Sequence, residues 1–171
     1  MKIRFFLTAL LMFVSMMLYS QAKIGYVDSK VIIDGMEDAK DAQTNLDNLV
    51  NTWKTEIQHM NDSLNSLKDD FEKKKLILTD NIKKQKQGEI TDLEKKITDY
   101  KQSKFGESGE YFQKQNELMK PVQDKVFKAI QDVAKEGGYD FVFDRSSQLL
   151  LLYMNEKYDL TQKVINKLQN K

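Results

Sequence analysis

The amino-acid sequence predicts a mainly α-helical protein in which a long antiparallel helical hairpin projects from a small β body. Three observations lead to this fold class. Apolar residues recur at spacings of three and four across much of residues 46–133, which is the period of a helix face. Short apolar segments typical of strands lie near both ends of the chain. The 171 residues include one proline and seven glycines, a composition that disfavours a sandwich of many short strands.

The first segment has the pattern of a secretory signal peptide. Lys2 and Arg4 precede an apolar run over residues 5–19, and small residues follow it. The run is shorter than the roughly 20 residues that a membrane-spanning helix needs. We therefore expect residues 1–22 to be removed on export, with cleavage after Ala22 or after Ser20. The remaining chain has 25 basic and 26 acidic residues, so nucleic acid is not an expected partner.

The N-terminal part of the β body comes directly after the predicted signal peptide. Residues 23–28 predict a first strand, with Ile24 and Tyr26 on one face. Residues 29–34 predict a short helical turn, which Gly35 ends.

An uninterrupted outgoing helix is predicted for residues 37–76. At 1.5 Å per residue it would extend about 60 Å. Its polar sides carry Lys, Asp, Glu, Gln and Asn, the pattern of a solvated helix that pairs with one neighbour. The apolar stripe consists of Leu46, Leu49, Trp53, Ile57, Met60, Leu64, Leu67, Phe71 and Leu78.

The return arm carries a stripe of the same kind, and the hairpin is predicted to span residues 37–120. We place the reversal at residues 76–81, because Thr79 and Asp80 offer helix-capping chemistry. Gly88 is the alternative reversal point. The stripe consists of Ile90, Leu93, Ile97, Tyr100, Tyr111, Gln115, Leu118, Val122, Val126, Ile130 and Val133.

Residues that bend helices are concentrated on the return arm. The outgoing helix contains no glycine or proline, whereas the return arm holds Gly88, Gly106, Gly109 and Pro121. We place Gly106 and Gly109 inside the return helix and expect them, with Pro121, to act as a hinge that lets the arms splay. Alanine at both glycines should then raise helix stability. The alternative is a straight hairpin in which packing absorbs these residues.

The C-terminal part completes the body. Gly137–Gly138 predict the end of the return helix. Residues 139–144 predict a second strand, with Tyr139, Phe141 and Phe143 on one face, and residues 149–154 predict a third that is apolar on both faces. Asp159 should cap a final helix that ends near Gln169, with Gln162 completing a capping box.

The body, residues 23–36 and 121–171, has too few strands to be stable alone. Three strands expose two edges, and the third strand needs cover on both faces. We therefore expect self-association, with strands from several copies closing a small barrel. The alternative is a monomer covered by its own terminal helix. The predicted interface residues are Ile24, Tyr26, Phe141, Phe143, Leu149, Leu150, Leu151 and Leu152.

Most enzyme chemistries are excluded by composition. Without cysteine the chain has no disulfide and no thiolate metal site, and its one histidine, His59, does not allow a histidine-based metal cluster. No phosphate-binding glycine loop occurs. Asp28, Asp140 and Asp144 are the one acid–base candidate, but aspartates at strand ends usually make turns and caps. We therefore expect no enzyme activity, no metal and no cofactor.

Four segments carry a family resemblance: residues 23–28, 121–130, 138–144 and 159–164. Through them the chain resembles the Skp/OmpH family of periplasmic chaperones for outer-membrane proteins, over essentially all of residues 23–171. The resemblance implies a homotrimer whose strands form a central barrel. It also implies three projecting hairpins that enclose unfolded outer-membrane proteins without nucleotide. The near-neutral charge departs from the strongly basic character of the best-known relatives.

The candidate contact residues lie on the hairpin. Within 72–88, six lysines oppose two acidic residues, which gives the tip a net charge of +4. These lysines could contact unfolded clients or anionic membrane lipid, or they could be solvated helix ends. Phe105 and Phe112 fit the apolar seam least well and are the better candidates for client contact. The tip lysines are Lys73, Lys74, Lys75, Lys83, Lys84 and Lys86.

The function predicted from these features is that of an ATP-independent holdase in the periplasm, acting by encapsulation. Weak contacts from several arms would raise the effective concentration of binding surface around one client. The alternative is a periplasmic coiled-coil structural or adaptor protein that binds a folded envelope partner.

Overall fold

The computed structural model describes residues 22–147 and 152–170. Two compact units can be distinguished in it. Residues 34–124 form the hairpin unit, and the described parts of 1–33 and 125–171 form the sheet unit. Among the described helices, none is long and apolar enough to cross a membrane.

The sheet unit begins with a strand and a short helix. Strand β1 is Ile24–Val27 and helix α1 is Ser29–Asp34, both close to the predicted bounds. The Asp28 carboxylate between them accepts a hydrogen bond of 3.0 Å from the backbone N–H of Val31. This bond satisfies one of the free N–H groups at the start of α1.

Two long helices dominate the hairpin unit. Helix α2 is Glu37–Lys74 and helix α3 is Asp80–Phe105. Their apolar stripes pack into one cluster, in which every member belongs to the stripes predicted from the sequence. The buried members are Leu64, Ile90 and Ile97, and the half-buried members are Met60, Leu67, Phe71 and Leu93.

Polar contacts across this seam show that α2 and α3 run antiparallel. Lys68 Nζ lies 2.5 Å from Glu94 Oε1. Farther from the turn, the Tyr100 hydroxyl donates a hydrogen bond to Glu56. The residue number on α3 therefore decreases as the number of its partner on α2 increases, as in an antiparallel pair.

The chain reverses in residues 75–79, between α2 and α3, whereas the sequence placed the reversal at 76–81. Thr79 is the N-cap residue and its backbone is extended, with φ −69° and ψ 158°. Its side chain makes no capping hydrogen bond, but its carbonyl accepts the N–H of Lys83 at 2.9 Å. Gly88, the alternative reversal point, lies inside α3.

The return arm is not the continuous helix that the sequence predicted. Helix α3 ends at Phe105, helix α4 is Glu110–Gly137, and the residues between them are not helical. A Cβ on Gly106 would lie 2.5 Å from the carbonyl oxygen of Gln102, and one on Gly109 would lie 2.8 Å from backbone atoms of the preceding turn. The expectation that alanine at both glycines raises stability is therefore wrong for this conformation.

The far end of α4 follows the prediction more closely. Pro121, the third predicted hinge residue, lies inside the helix without ending it. Gly138 adopts a φ of 64°, the left-handed conformation that commonly closes helices and that glycine tolerates. The N–H of Tyr139 then bonds to the carbonyl of Ala134 at 2.9 Å. Tyr139 thus belongs to this cap and not to a strand, contrary to the prediction.

The second strand completes a two-stranded parallel sheet. Strand β2 is Phe141–Asp144. In its register with β1, Ile24 lies opposite Phe141 and Tyr26 lies opposite Phe143. Parallel strands cannot be joined by a tight turn, and the helices between β1 and β2 supply the long connection that parallel pairing needs.

The first half of the predicted third strand lies outside the described residues, since 149–151 are not among them. The interface prediction for Leu149, Leu150 and Leu151 therefore also lies outside them. Residues 152–154, which end this predicted strand, are not in a strand.

The chain finishes with a short 3-10 helix, Glu156–Tyr158, and helix α5, Thr161–Gln169. Asp159 Oδ1 accepts the N–H of Thr161 at 2.8 Å, so this aspartate contributes to the cap. The predicted capping box does not form, because the backbone N–H of Asp159 bonds to the carbonyl of Glu156 at 3.0 Å, while the Gln162 amide donates to Asn166 at 2.9 Å.

The buried apolar side chains of the sheet unit come from both ends of the chain. A Cβ on Gly25 would lie 2.8 Å from the Leu160 side chain, so the backbone of β1 passes directly over this residue. The buried residues are Tyr26, Val27, Ile32, Val126, Ala129, Val133, Leu160 and Val164.

Candidate functional site

The six predicted tip lysines surround the turn between α2 and α3. Four of them form ion pairs with acidic residues three or four positions away in the chain. Exposed pairs of this kind contribute little to stability. Lys86 Nζ lies 2.6 Å from Glu89, and hydrogen bonds from Lys86 and Gln85 lower the pKa of Glu89. Among the described residues, Lys73 and Lys84 have no ion pair.

Sequence reasoning missed two apolar residues at this turn. Leu76 is 90% exposed and Ile77 is 83% exposed. We call this pair the tip apex. Ile82, in the first turn of α3, is also exposed. The signal was present in the sequence, because residues 76–78 form a separate apolar run after the charged residues 72–75, beyond Phe71, the last packed seam residue of α2.

A second cluster lies where the return arm breaks. The Trp53 ring is buried and meets the Phe105 ring edge-on, with centroids 5.7 Å apart. Lys104 Nζ lies 5.3 Å from the centroids of both Trp53 and Tyr100. It also forms an ion pair of 2.6 Å with Glu110 at the start of α4. Lys104 thus connects α3, α2 and α4 at the break.

The Tyr100 hydroxyl is part of the same region. It donates a hydrogen bond to Glu56. Burial, followed by this bond and the charges of Glu56 and Glu110, raises the pKa of Tyr100 to about 12. The tyrosine is therefore neutral at physiological pH and acts as a donor across the seam.

The predicted client-contact residues are both exposed aromatics. Phe105 packs one edge against Trp53. Phe112, in the first turn of α4, meets only the neighbouring Tyr111 ring among the described ring contacts, at 5.3 Å between centroids. Both rings present apolar area to solvent, which is what a weak contact with an apolar segment requires.

An open groove lies between α2 and the first part of α4. It encloses about 440 Å³. Its walls combine amide, hydroxyl and charged side chains with two leucines, so it offers both polar and apolar contacts. The residues are Asn45, Asn48, Leu49, Thr52, Lys114, Glu117 and Leu118.

The predicted interface residues of the sheet unit fall into two groups. Ile24, Phe141 and Phe143 are exposed, as is Leu152, whereas Tyr26 is buried within the chain itself. Ile24 and Phe141 face each other in the register. A cavity of about 590 Å³ adjoins the sheet, and its apolar walls include Ile24, Tyr26, Phe143, Tyr153, Met154 and Tyr158.

The three aspartates at the strand ends all have structural partners. Asp28 accepts from Val31 N–H at 3.0 Å and from Arg145 Nε at 2.8 Å, and these bonds lower the pKa of Asp28. Burial raises the pKa of Asp144, but hydrogen bonds from Ser29 and Ser146 outweigh burial and lower it.

Asp140 accepts the backbone N–H of Lys23 at 2.7 Å. These aspartates hold the strand ends together, and the described part of the chain contains no group of acidic or histidine residues arranged to hold a metal ion. His59 is exposed.

A family model, a protein of related sequence and a solved structure are similar to this chain. The family model described as outer membrane protein (OmpH-like) matches residues 23–168. An uncharacterized protein from Aquifex aeolicus (strain VF5) is 32% identical over 145 residues, which are 83% of each chain. A solved structure from Caulobacter crescentus CB15, provisionally described as an outer membrane chaperone (OmpH-like), superposes with a TM-score of 0.74 at 14% identity. The superposition covers 88% of this chain and 86% of that one.

Proposed function

Because the chain belongs to the OmpH-like family, we propose that it is an ATP-independent holdase chaperone of the periplasm. In this role it encloses unfolded outer-membrane proteins and prevents their aggregation. The observation that carries the proposal is the family match over residues 23–168, which includes both the sheet unit and the hairpin unit. The export signal over residues 1–22 lies almost entirely outside the described residues and is part of the same proposal.

The geometry of the hairpin unit supports binding rather than catalysis. Packed apolar residues fill the seam between α2 and α3. Aromatic rings that are not part of this packing, such as Phe112, remain exposed and can contact a partner. Contacts of this size are individually weak, and several arms acting together would hold one client through effective concentration. Release then needs no nucleotide, because the client leaves when its own folding buries the apolar segments.

Several arms require an assembly, and we propose a homotrimer joined through the sheet unit. The exposed row of Ile24, Phe141 and Phe143 supports it, since a two-stranded sheet with an apolar outer face is marginal alone. Sedimentation equilibrium of residues 23–171 should give three times the chain mass. Phe141→Asp should lower that mass, whereas Val31→Asp, at a similarly exposed apolar position on α1, should not. A wild-type monomer at micromolar concentration would exclude the enclosed cavity.

The tip lysines are the third part of the proposal. With a net charge of +4 over residues 72–88, they suit an acidic client segment or the anionic headgroups of a membrane. Either contact weakens with added salt, because exposed charges are screened.

The test of the holdase function is the aggregation of a denatured β-barrel protein of the outer membrane. Diluted into buffer without nucleotide, it should scatter light strongly alone and weakly with residues 23–171. Phe112→Ser should reduce the protection, and Phe127→Ser, an exposed phenylalanine of the sheet unit, serves as the control. If aggregation proceeds unchanged at molar excess, the holdase function is wrong and the coiled-coil adaptor with a folded partner is favoured.

A further inference from the structure

The polar groups of Lys23 are all held by the sheet unit. The backbone N–H of Lys23 donates to the Asp140 carboxylate at 2.7 Å, and its carbonyl accepts the N–H of Asp140 at 2.8 Å. Its side-chain Nζ donates to the carbonyl of Gly137 at 2.6 Å and lies 4.2 Å from the centroid of the Tyr139 ring. The whole residue is therefore fixed against the segment that leads into β2.

Lys23 also follows the predicted cleavage point directly. Ser20 and Ala22 place small residues at the two positions that a signal peptidase reads before the bond it cleaves. Cleavage after Ala22 makes Lys23 the first residue of the exported chain. Ala22 is exposed and lies outside β1.

Hydrolysis of the bond between Ala22 and Lys23 changes the charge of the Lys23 nitrogen. Water adds its hydroxyl to the Ala22 carbonyl carbon and a hydrogen to the nitrogen, and the C–N bond of the peptide breaks. The new carboxylic acid of Ala22 passes its proton to the released amine. α-Amino groups titrate near about pH 8, so an uncharged amide becomes an ammonium that is mostly charged at neutral pH.

Asp140 is placed to receive this charge. Its Oδ2 already lies 2.7 Å from the Lys23 nitrogen, which is the length of a charge-assisted hydrogen bond. In the part of the chain that the structure describes, no lysine or arginine side chain pairs with this carboxylate. Ion pairs between long side chains lose energy to the ordering of those side chains, whereas the Lys23 nitrogen belongs to a backbone that the sheet has already fixed.

We propose that removal of the signal peptide after Ala22 completes the sheet unit, because the new α-ammonium of Lys23 forms an ion pair with Asp140. The inference rests on the export signal proposed above and selects one of its two cleavage points. The pair joins the start of β1 to the residue before β2, next to the register pair of Ile24 and Phe141. The uncleaved chain has the hydrogen bond without the charge, so the sheet unit reaches its full stability only after cleavage.

The first experiment locates the N-terminus of the exported protein. The full chain, expressed in a Gram-negative host and recovered from the periplasm, should have the intact mass of residues 23–171. A mass that retains Gln21 or Ala22 would leave the Lys23 nitrogen as an amide and overturn the inference, while the export proposal stands. Recovery of the chain with residues 1–22 still attached would overturn both.

The second experiment is a cycle of four chains that isolates the charge. Residues 23–171 are released from an N-terminal fusion by a protease that leaves no extra residue, so that Lys23 carries the ammonium. A second chain keeps a Gly-Ser dipeptide before Lys23, which restores the amide and moves the ammonium two residues away. Each chain is made with and without Asp140→Asn, and its unfolding equilibrium constant is measured by urea titration at one protein concentration.

The free Lys23 terminus should lower the unfolding equilibrium constant about fivefold relative to the Gly-Ser chain, and Asp140→Asn should remove this advantage. Added salt should reduce the advantage, since exposed charges are screened. Asp132→Asn, the same loss of charge elsewhere in the sheet unit, should leave it intact. Equal unfolding constants for the two chains, or an advantage that survives Asp140→Asn, would overturn the ion pair.

The light-scattering assay separates this inference from the holdase function. If the Gly-Ser chain protects the client as the free chain does but unfolds more easily, both proposals stand. If the cycle shows the ion pair and neither chain protects the client, the holdase function is wrong and the ion pair stands. If both chains protect the client and unfold equally, the ion pair is wrong and the holdase function stands.

Discussion

The outgoing and return arms of the hairpin unit share one seam but differ in continuity. The outgoing arm, α2, runs for 38 residues without interruption. The return arm consists of α3 and α4, separated by a non-helical segment that begins at Gly106 and ends at Gly109. The return arm also holds Gly88 and Pro121, and neither ends its helix.

This difference shows that a glycine permits a helix break but does not determine it. At the break, Trp53 of the outgoing arm packs against Phe105, and Lys104 bonds to Glu110 beyond the segment. At Gly88 the space around a Cβ is open, so nothing there holds the chain out of the helical conformation. The break is therefore a built structure that depends on contacts from the unbroken arm, and the predictions that follow test this dependence.

The largest effect is expected from Trp53→Ala. Truncating a buried aromatic side chain costs about 3–5 kcal/mol, and this ring also supports the break through Phe105 and Lys104. The free energy of unfolding, measured by urea titration with circular dichroism, should fall by that amount. Lys54→Ala, the exposed neighbour on α2, should change it by less than about 0.5 kcal/mol. A cost near 1 kcal/mol for Trp53→Ala would show that the ring carries little of the packing.

The two kinds of glycine on the return arm should respond in opposite directions. A Cβ on Gly109 would lie 2.8 Å from the backbone carbon and oxygen of Lys104, so Gly109→Ala should destabilise by about 1–3 kcal/mol. Gly88→Ala meets nothing within 4 Å and should stabilise by about 1 kcal/mol, since alanine favours helix. Stabilisation by both variants would indicate that the break readily becomes a continuous helix.

The same contrast explains how far the sequence could predict the fold. The seam was predictable, because Leu64 and Ile90 recur with the helical period and that period decides which face is buried. The end of α4 was predictable as well, since Gly137–Gly138 offers a left-handed position that other residues avoid. The break in the return arm was not predictable, because Gly88 and Gly106 have the same intrinsic helix propensity and lie in similarly polar sequence. Packing across the arms decides between them.

The candidate site was predictable to a similar extent. The charge of the tip lysines and the exposure of Phe112 depend on local composition and on the helical period, and both were found from the sequence. The apex was missed because the predicted stripe passes from Phe71 to Leu78, and Leu76 and Ile77 lie between them outside its period. A periodic pattern does not show where its partner helix stops.

A smaller effect is expected for the ion pair that spans the break. The Lys104 side chain is 16% exposed and lies 2.6 Å from Glu110, so it is less screened than a surface pair. A double-mutant cycle with Lys104→Met and Glu110→Gln should give a coupling free energy of about 1 kcal/mol. The matched control is Lys114 and Glu117, also 2.6 Å apart but more exposed, with an expected coupling of about 0.3–0.5 kcal/mol. Equal couplings would remove any special role for the pair at the break.

An effect of similar size at neutral pH is expected for the hydrogen bond that joins the arms just before the break. Tyr100→Phe removes a hydrogen bond to Glu56 and should cost about 1 kcal/mol. Its larger consequence appears in alkali. The pKa of Tyr100 is raised from 10.0 to about 12 in the folded state, so its contribution to stability is complete below about pH 10 and is lost as the pH rises to about 12. The difference in free energy of unfolding between wild type and Tyr100→Phe, followed by urea titration across this range, should therefore shrink. Glu56→Gln keeps the tyrosine but removes a charge that raises its pKa in the folded state. The pH range over which Tyr100 loses its contribution to stability should therefore become narrower. If wild type and Tyr100→Phe lose stability in parallel through pH 10 to 12, the hydroxyl does not join the two arms in solution.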